Sequence, residues 1–229
     1  MFKFSFDAPP YIAIIGDIIS SKEIRDRYEA QQKLTIILNQ VNKIYANDIA
    51  AKFMITLGDE FQGLLDIGKN TINIIQLIER GMNPIRIRFG IGVGDIRTEI
   101  NPDIPLGADG SAYHNARKMI DEIKKSEKKQ MESRYDMKIC IDDFSEIADL
   151  MNSIFSLCTA LRSKWTSRQT EIIYDRMEHG DNQVDAAKRM GITQSSIQKG
   201  LAASNYYTYA NSMELISTYL EQIKENKNV

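Results

Sequence analysis

The sequence has few of the residues that build disulfide frameworks or soft-metal sites. Its 229 residues include two cysteines, Cys140 and Cys158, and two histidines, His114 and His179. This excludes a disulfide framework and a cysteine-rich zinc site, and two histidines are too few for a histidine cage. Any metal would be held by oxygen ligands, which favours Mg²⁺ or Mn²⁺.

Long hydrophobic runs are also missing. The longest apolar runs are much shorter than the roughly 18 residues that a membrane-spanning helix needs. The N-terminal stretch MFKFSFDAPP contains one lysine and Asp7, with no apolar core and no small-residue cleavage site. We therefore expect a cytoplasmic protein without a membrane span.

Neither sign of charge dominates. The chain has 29 Lys and Arg against 31 Asp and Glu, a net charge of −2, so no general attraction to nucleic acid is expected. Residues 162–204 are mildly basic, with seven Lys or Arg against five Asp or Glu. This asymmetry is compatible with DNA contact by one module, but it is too small to prove it.

The apolar spacing predicts two domains. Over residues 1–143 it predicts the element order β-α-β-β-α-β-α-β, which is typical of a mixed sheet with helices on one face and of ferredoxin-like α+β folds. A connecting helix is predicted over 144–161. An all-α helix-turn-helix domain with a further C-terminal helix is predicted over 162–229.

Two carboxylates are predicted to meet at one edge of the sheet. Asp17 ends the first strand, and Asp59, followed by Glu60, lies at the tip of a hairpin. Converging carboxylates repel one another unless a cation lies between them, and a hard divalent ion also binds phosphate oxygens. Gly16 and Gly58 would let a ligand approach closely. The alternative is structural: a helix cap at Asp17 and an ordinary turn at Gly58.

Other polar residues near this edge have two interpretations. Ser20, Ser21 and Lys22 follow Asp17 where a helix N-terminus would face a phosphate group, and a plain helix cap is the alternative. Arg86 and Arg88 alternate with apolar residues, so we expect them to share one solvated face of a strand.

Four segments occur in the order found in the class III nucleotide cyclase domain and the related GGDEF palm: GDIISSK, ITLGDEFQGLL, RFGIGVGDI and GADGSAYHNARKM. In the folds that these segments resemble, a first-strand acid and a hairpin-tip acid bind two metal ions over a triphosphate. Asp17 and Asp59 match those acids, and Glu60 matches the Glu of GGDEF. Over nearly its whole length the chain resembles the SatD family, which combines such a domain with a helix-turn-helix. The resemblance implies a site for Mg²⁺ or Mn²⁺ with a nucleoside triphosphate.

The sequence also departs from that pattern. Arg117 matches the transition-state arginine of the cyclases, but Tyr113 stands four residues earlier, where they carry asparagine. Ile55 replaces their purine-selecting lysine, and Leu57 replaces the first glycine of GGDEF. If the protein were a nucleotide cyclase or nucleotidyltransferase, Arg117 and the two aspartates would be catalytic. Otherwise the domain would bind a nucleotide without converting it.

The segment NQVDAAKRMGITQSSIQKGLAAS has the pattern of a helix-turn-helix, with Ala186 and Ala187 at a close helix crossing and Gly191 at the turn. Polar side chains are predicted to read base edges and basic ones to contact phosphates. These residues are Gln194, Ser195, Ser196 and Gln198, with Lys188, Arg189 and Lys199. A three-helix scaffold for protein contacts is the alternative.

We therefore expect a DNA-binding regulator whose first domain binds a nucleotide, a divalent metal or both. We also expect a homodimer, because the cyclase folds it resembles assemble their site across a dimer. A ligand would then set the spacing of the two recognition helices. The alternative is an enzyme that acts on a nucleoside triphosphate.

Overall fold

A computed structural model describes residues 4–129 and 135–223 of the chain. The chain forms two compact units: unit 1 runs to Ser156 and resumes at Ile216, and unit 2 is Leu157–Leu215. The sequence-based division instead placed all of 162–229 in the helix-turn-helix domain. The later segment groups with unit 1 because Gly68 N donates to Ile223 O at 3.0 Å, and the Ser217 hydroxyl donates to Lys69 O at 3.3 Å.

Unit 1 contains a five-stranded mixed sheet, which confirms the α+β class. The strands are β1 (Tyr11–Ile18), β2 (Ile49–Leu57), β3 (Glu60–Leu65), β4 (Ile87–Gly94) and β5 (Met137–Ile141). Their spatial order is β2-β3-β1-β4-β5. The central strand β1 is antiparallel to β3 and β4, and β4 is parallel to β5.

The helices follow in the predicted order. They are α1 (Arg27–Ile44), α2 (Thr71–Met82), α3 (Ser111–Glu127) and α4 (Ser145–Arg162), the last of which crosses from unit 1 into unit 2. A short 3-10 turn, Ser21–Glu23, separates β1 from α1.

Both faces of the sheet are covered, so the expectation of helices on one face is wrong. Consecutive residues Ile14 and Ile15 of β1 point to opposite faces, yet each is at most 1% exposed. The face of Ile15 packs against α3, in a cluster that includes Ala116 and Ile120. Helices α1 and α2 pack against one another and contact β2 and β4. Because α3 occupies the first face, this pair covers the second.

An asparagine side chain is bonded to each outer strand of the sheet. Asn42 of α1 donates to Phe53 O and accepts from Phe53 N, both at 2.8 Å. Asn152 of α4 accepts from Ile139 N at 2.8 Å and donates to Ile139 O at 2.9 Å. These paired bonds attach α1 to β2 and α4 to β5.

Unit 2 is entirely helical. Its helices are α5 (Ser167–His179), α6 (Gln183–Met190) and α7 (Gln194–Ala203), followed by α8 (Tyr206–Leu220), which continues into unit 1. Their buried core is small, with two residues from each of the first three helices: Ile172, Ile173, Ala186, Ala187, Ile197 and Leu201. Across the part of the chain that the structure describes, no helix is long and apolar enough to cross a membrane.

Candidate functional site

Charged residues form a row across the middle of the sheet in unit 1. Asp17 of β1 lies opposite Glu60 of β3 on one side and opposite Arg88 of β4 on the other. Cross-strand partners point to the same face of a sheet, here the face that α3 covers. The first strand and the hairpin are therefore neighbours in the sheet.

Asp17 is buried and held by two cations. Its Oδ2 accepts a hydrogen bond from Arg88 Nη1 at 2.5 Å, and its Oδ1 lies 3.2 Å from Lys124 Nζ on α3. Arg88 also donates to Glu127 through Nε at 2.8 Å and Nη2 at 2.6 Å. Burial alone would lower the pKa of Arg88, but Glu127 and Asp17 raise it above its ordinary value. The guanidinium therefore stays charged.

Glu60 is paired with Arg117 of α3. Arg117 Nη2 donates to Glu60 Oε1 at 2.6 Å, and Nη1 donates to the second carboxylate oxygen. The hydrogen bonds that Arg117 donates to Glu60 raise the pKa of Arg117. The Arg117 side chain is 43% exposed, whereas that of Glu60 is 15% exposed. Arg117 thus lies beside the acids predicted for the site, and it is bonded to one of them, Glu60.

The expectation of a solvated arginine face is wrong for Arg88. Its side chain is 11% exposed, whereas that of Arg86 is 61% exposed and lies 2.5 Å from Asp136 Oδ1. The alternation along β4 predicts which face a residue occupies. It does not reveal that the opposing residue on β1 is an acid.

The hairpin tip lies beside the end of β1, where Ile18 N donates to Asp59 O at 3.3 Å. Gly58 has a φ of +63°, the left-handed region that favours glycine. Asp59 lines a small cavity with Ser21 and Gln31, among other residues, and does not lie in the row of Asp17. Gly16 has a structural role, because a Cβ there would lie 2.0 Å from the ring of Phe61.

The predicted phosphate-facing helix N-terminus does not occur at Ser20, Ser21 and Lys22. Ser20 has a left-handed backbone, with φ of 53°, and the following turn is only three residues long. Helix α1 begins later, at Arg27, and its N-cap Asp26 accepts from Glu29 N at 2.8 Å. An acidic side chain therefore already occupies that helix end.

The acids of this row do not form a metal site as they are placed. Each carboxylate oxygen of Asp17 and Glu60 already faces a guanidinium or ammonium group. Within residues 4–129 and 135–223, no group of three His, Cys, Asp or Glu side chains could hold a metal. A divalent ion needs oxygen lone pairs directed at it. The residues present therefore do not fit Mg²⁺ or Mn²⁺ in this arrangement.

Tyr113 lies in the core and not in the charged row. It is 8% exposed and packs in the cluster that contains Ala13 and Leu64. Its hydroxyl has no hydrogen-bond partner among the described residues, and burial raises its pKa. This position therefore does not supply the polar group that the cyclase pattern has there.

Sequence reasoning did not find Lys124 and Glu127. A signal was present for Lys124, because it lies seven residues after Arg117 and so on the same face of α3. No local signal marks Glu127, because its partner Arg88 is 39 residues away in the sequence.

A second polar cluster, at the opposite end of the strands, attaches the start of α3. Ser111 N and Oγ donate to Asp95 Oδ1 at 3.0 and 2.8 Å, and Ser111 Oγ also bonds to Asp142. Asn115 Nδ2 donates to Asp142 Oδ1 at 2.8 Å. Hydrogen bonds from Arg97, then from Ser111, lower the pKa of Asp95 to about 2.

In unit 2, α6 and α7 are joined by a short turn. Helix α6 ends at Gly191, whose φ is +64°. Thr193 then caps α7, with its side chain accepting from Ser196 N at 3.1 Å. Ala186 and Ala187 are 2% and 6% exposed, in agreement with the close helix crossing that the sequence predicts.

The residues predicted to contact DNA occupy different environments. Five of them are exposed on α7: Gln194, Ser195, Ser196, Gln198 and Lys199. The Ser196 hydroxyl lies 2.9 Å from Thr193 Oγ1 and so belongs to the helix cap. Lys188 is 75% exposed, with Nζ 3.6 Å from Asp185 Oδ1. Arg189 differs from the others, because it is bonded to two aspartates of unit 2.

The family model of the SatD family matches residues 11–219, which is most of the chain. The chain belongs to the SatD family. This SatD protein matches no curated protein in the comparison.

Comparison with solved structures finds similarity to nucleotide cyclase domains. The guanylate cyclase domain of RhGC from Catenaria anguillulae, in complex with GTP, is 18% identical, with a TM-score of 0.36 over 48% of this chain and 71% of that one. Adenylate cyclases from Trypanosoma brucei in their monomeric state are 16% identical, with a TM-score of 0.37 over 48% of this chain and 68% of that one. A bacterial light-regulated adenylyl cyclase is 13% identical, with a TM-score of 0.39 over 57% of this chain and 74% of that one.

Proposed function

We propose that this SatD protein is a cytoplasmic DNA-binding regulator, in which unit 2 contacts DNA and unit 1 binds a nucleotide. The observation that carries the proposal is the arrangement of α6, the Gly191 turn and α7. It exposes Gln194, Ser195 and Gln198 along one helix.

These side chains suit the reading of bases. Glutamine and serine side chains donate to and accept from base edges in the major groove, whereas lysines contact phosphates. Lys199 lies on α7 itself, and Lys188 lies in the last turn of α6. The exposed face of α7 has one basic side chain, so we expect modest affinity that falls steeply with salt.

DNA binding can be tested with the full chain and labelled duplexes. A duplex selected by the protein from a random 20-base-pair library would be compared with a mixed-sequence duplex over a salt series. Lys199→Gln should weaken binding to both duplexes and reduce the salt slope by about one. Lys52→Gln in unit 1 is the control that should change neither. If neither duplex binds even at low salt, the DNA part of the proposal is wrong.

Nucleotide binding is supported by the part-exposed cations of the charged row. Arg117 and Lys124 are 43% and 39% exposed, and each is bonded to a carboxylate. A phosphate group offers the same geometry as a carboxylate to a guanidinium group. We therefore propose that a nucleotide phosphate replaces Glu60 at Arg117. Calorimetry with ATP and GTP, with and without Mg²⁺ or Mn²⁺, tests this, and no heat of binding under any condition would refute it.

Conversion of the nucleotide is the alternative. It is less well supported, since the acids of Asp17 and Glu60 are engaged by cations and Tyr113 lies in the core. Incubation with each nucleoside triphosphate and Mn²⁺, followed by chromatography, separates the two possibilities. A product that disappears in Asp59→Ala would establish the enzyme.

We also propose that the regulator acts as a homodimer, which would place two α7 helices on successive turns of DNA. Light scattering coupled to size exclusion measures the mass directly. A monomer both with and without the selected duplex would rule this out.

A further inference from the structure

Arg189 is bonded on both sides of its guanidinium group. Its Nε and Nη2 donate to the two oxygens of Asp175, each at 2.7 Å. On the other side, Nη1 donates to Asp181 Oδ2 at 2.8 Å and Nη2 to Asp181 Oδ1 at 3.2 Å. A guanidinium group has five N–H donors, and four donor–acceptor contacts are already made here. Little of this group is left to offer a DNA phosphate.

The local charge also opposes phosphate contact. One arginine lies between two aspartates, so these three side chains together carry one net negative charge, while Arg176 and His179 lie near enough to act on Asp181. The hydrogen bonds from Arg189 lower the pKa of Asp181, which therefore remains ionised at neutral pH. A phosphate approaching this cluster would meet repulsion from Asp175 and Asp181.

The cluster lies where three segments of unit 2 meet. Asp175 is in the second half of α5, and Asp181 is in the connection that follows it. Arg189 is in the last turn of α6, two residues before the Gly191 turn that leads into α7. The Arg189 side chain thus ties the end of α6 to α5.

The bonds of Arg189 to Asp175 and Asp181 matter because α6 contributes only small buried side chains to the apolar core cluster. Six buried residues form the centre of the apolar core shared by α5, α6 and α7, and partly buried residues such as Met177 and Met190 pack around them. Two of the six, Ala186 and Ala187, have small side chains. Three residues separate α6 from α7, so a shift at the end of α6 is passed directly to the first turn of α7. That turn carries Gln194 and Ser195.

We propose that Arg189 is a positioning residue of the helix-turn-helix, which sets the orientation of α7 through its bonds to Asp175 and Asp181, and that it does not contact DNA. This inference rests on the proposed DNA binding by unit 2. It differs from the sequence-based prediction, which placed Arg189 among the residues that meet phosphates.

Aspartate variants separate the two roles, because the expected signs are opposite. If Arg189 contacts phosphate, Asp175→Asn and Asp181→Asn remove repulsion and free the arginine, so binding to DNA should tighten. If Arg189 positions α7, the same changes should weaken binding to the selected duplex, by about tenfold for Asp175→Asn. Asp181→Asn is the milder variant, because that side chain is 27% exposed and lies in a connection. Glu171→Gln, which removes one negative charge from α5 at a residue paired with Arg168 and not with Arg189, is the matched control.

Arg189→Lys provides the second comparison. Lysine keeps the charge but cannot form the two-sided fork. A positioning role predicts a loss of about tenfold on the selected duplex, with little change on the mixed-sequence duplex. A phosphate contact predicts near-normal binding to both. Tightened binding in Asp175→Asn or Asp181→Asn, or unchanged selected-duplex affinity in Arg189→Lys, would overturn the proposal.

The tie itself can be measured without DNA. Thermal unfolding of Arg189→Gln, Asp175→Asn and the double variant gives their coupling, with Trp165, the single tryptophan, reporting on unit 2. If the wild-type chain binds no duplex while these residues are coupled, the DNA-binding proposal fails and the tie stands. If the two changes are additive, the positioning role fails, whatever the chain binds.

Discussion

Arg88 and Asp17 face each other across β4 and β1, and their side chains are joined at 2.5 Å with 11% and 8% of their surfaces exposed. Because water stabilises these two charges little, each of them is stabilised mainly by its partners in the protein. Asp17 is the centre of the row, because it lies opposite Arg88 on one side and opposite Glu60 on the other.

Replacement of Arg88 by methionine should destabilise unit 1. It leaves the buried charge of Asp17 with Lys124 as its remaining cation, and loss of one partner of a buried ion pair typically costs about 3 kcal/mol or more. Urea unfolding followed by circular dichroism measures the change. The control is Lys52→Met, because Lys52 and Asp103 form an exposed pair whose loss should cost about 1 kcal/mol or less. Equal effects of the two variants would contradict the role of burial.

Glu60→Gln should increase the affinity of unit 1 for ATP in the absence of metal. The variant weakens the hold on Arg117, so a phosphate group competes with an amide instead of a carboxylate. Since accessible ion pairs are worth about 1 kcal/mol or less, we expect a gain of about threefold to fivefold. Calorimetry of Glu60→Gln beside Asp103→Asn, which removes an equal charge at an exposed position, provides the comparison. Weaker binding in Glu60→Gln would show that its carboxylate assists the ligand.

Acid should weaken the attachment of α3 through Asp95. Its pKa is lowered to about 2 by Arg97 and Ser111, so its charged form stabilises the fold at pH values above about 4. That contribution is lost as the pH falls from about 4 towards 2. We therefore expect Asp95→Asn to lower Tm at pH 7, with a difference from wild type that shrinks by pH 2.5. If the difference in Tm between Asp95→Asn and wild type stayed constant over this pH range, the effect would not come from the ionisation of Asp95.

Gly92→Ala should disrupt the contact between β4 and α3. A Cβ at Gly92 would lie 2.0 Å from the Ala112 carbonyl oxygen and 2.4 Å from Ala116 N, both backbone atoms. Because a helix backbone cannot move aside as a side chain can, the cost should reach about 3 kcal/mol, the upper end of overpacking effects. Gly58→Ala is the comparison, since nothing lies within 4 Å there and only its left-handed φ costs about 1–2 kcal/mol. Unfolding midpoints in urea rank the two variants.

The fold could be predicted from the sequence further than the site could. Alternation and helical spacing are local signals, so β1, the hairpin, α3 and the helices of unit 2 could be predicted from apolar residues alone. Helices on both faces of the sheet were not predicted, although β1 carries a signal for them. Its residues YIAII are apolar at consecutive positions, whereas a strand with one solvated face alternates apolar and polar residues. The grouping of Ile216–Ile223 with unit 1 depends on contacts with residues near 68, about 150 positions earlier.

The candidate site shows the same division. Asp17, Glu60 and Arg117 could be found from motif order, and the structure brings them to one face of the sheet. The ion pairs could not be predicted, because Asp17 and Glu60 are bonded to cations that lie on other strands and helices, far away in the sequence. In unit 2, local spacing identified α6 and α7. Asp175 lies fourteen residues before Arg189, at no spacing that marks a pair.

The amide groups of Asn42 and Asn152 limit what the sheet can join. A strand from another molecule would have to bond to the outer backbone of β2 or β5, but Phe53 and Ile139 already use both of their polar groups on these side chains. Lys52 N is likewise bonded to Pro102 O at 2.9 Å. Exposed strand edges are common starting points for amyloid-like growth, and at these positions an incoming strand must first displace an internal partner. The two asparagines thus make edge-to-edge extension of the sheet unfavourable at Phe53 and Ile139.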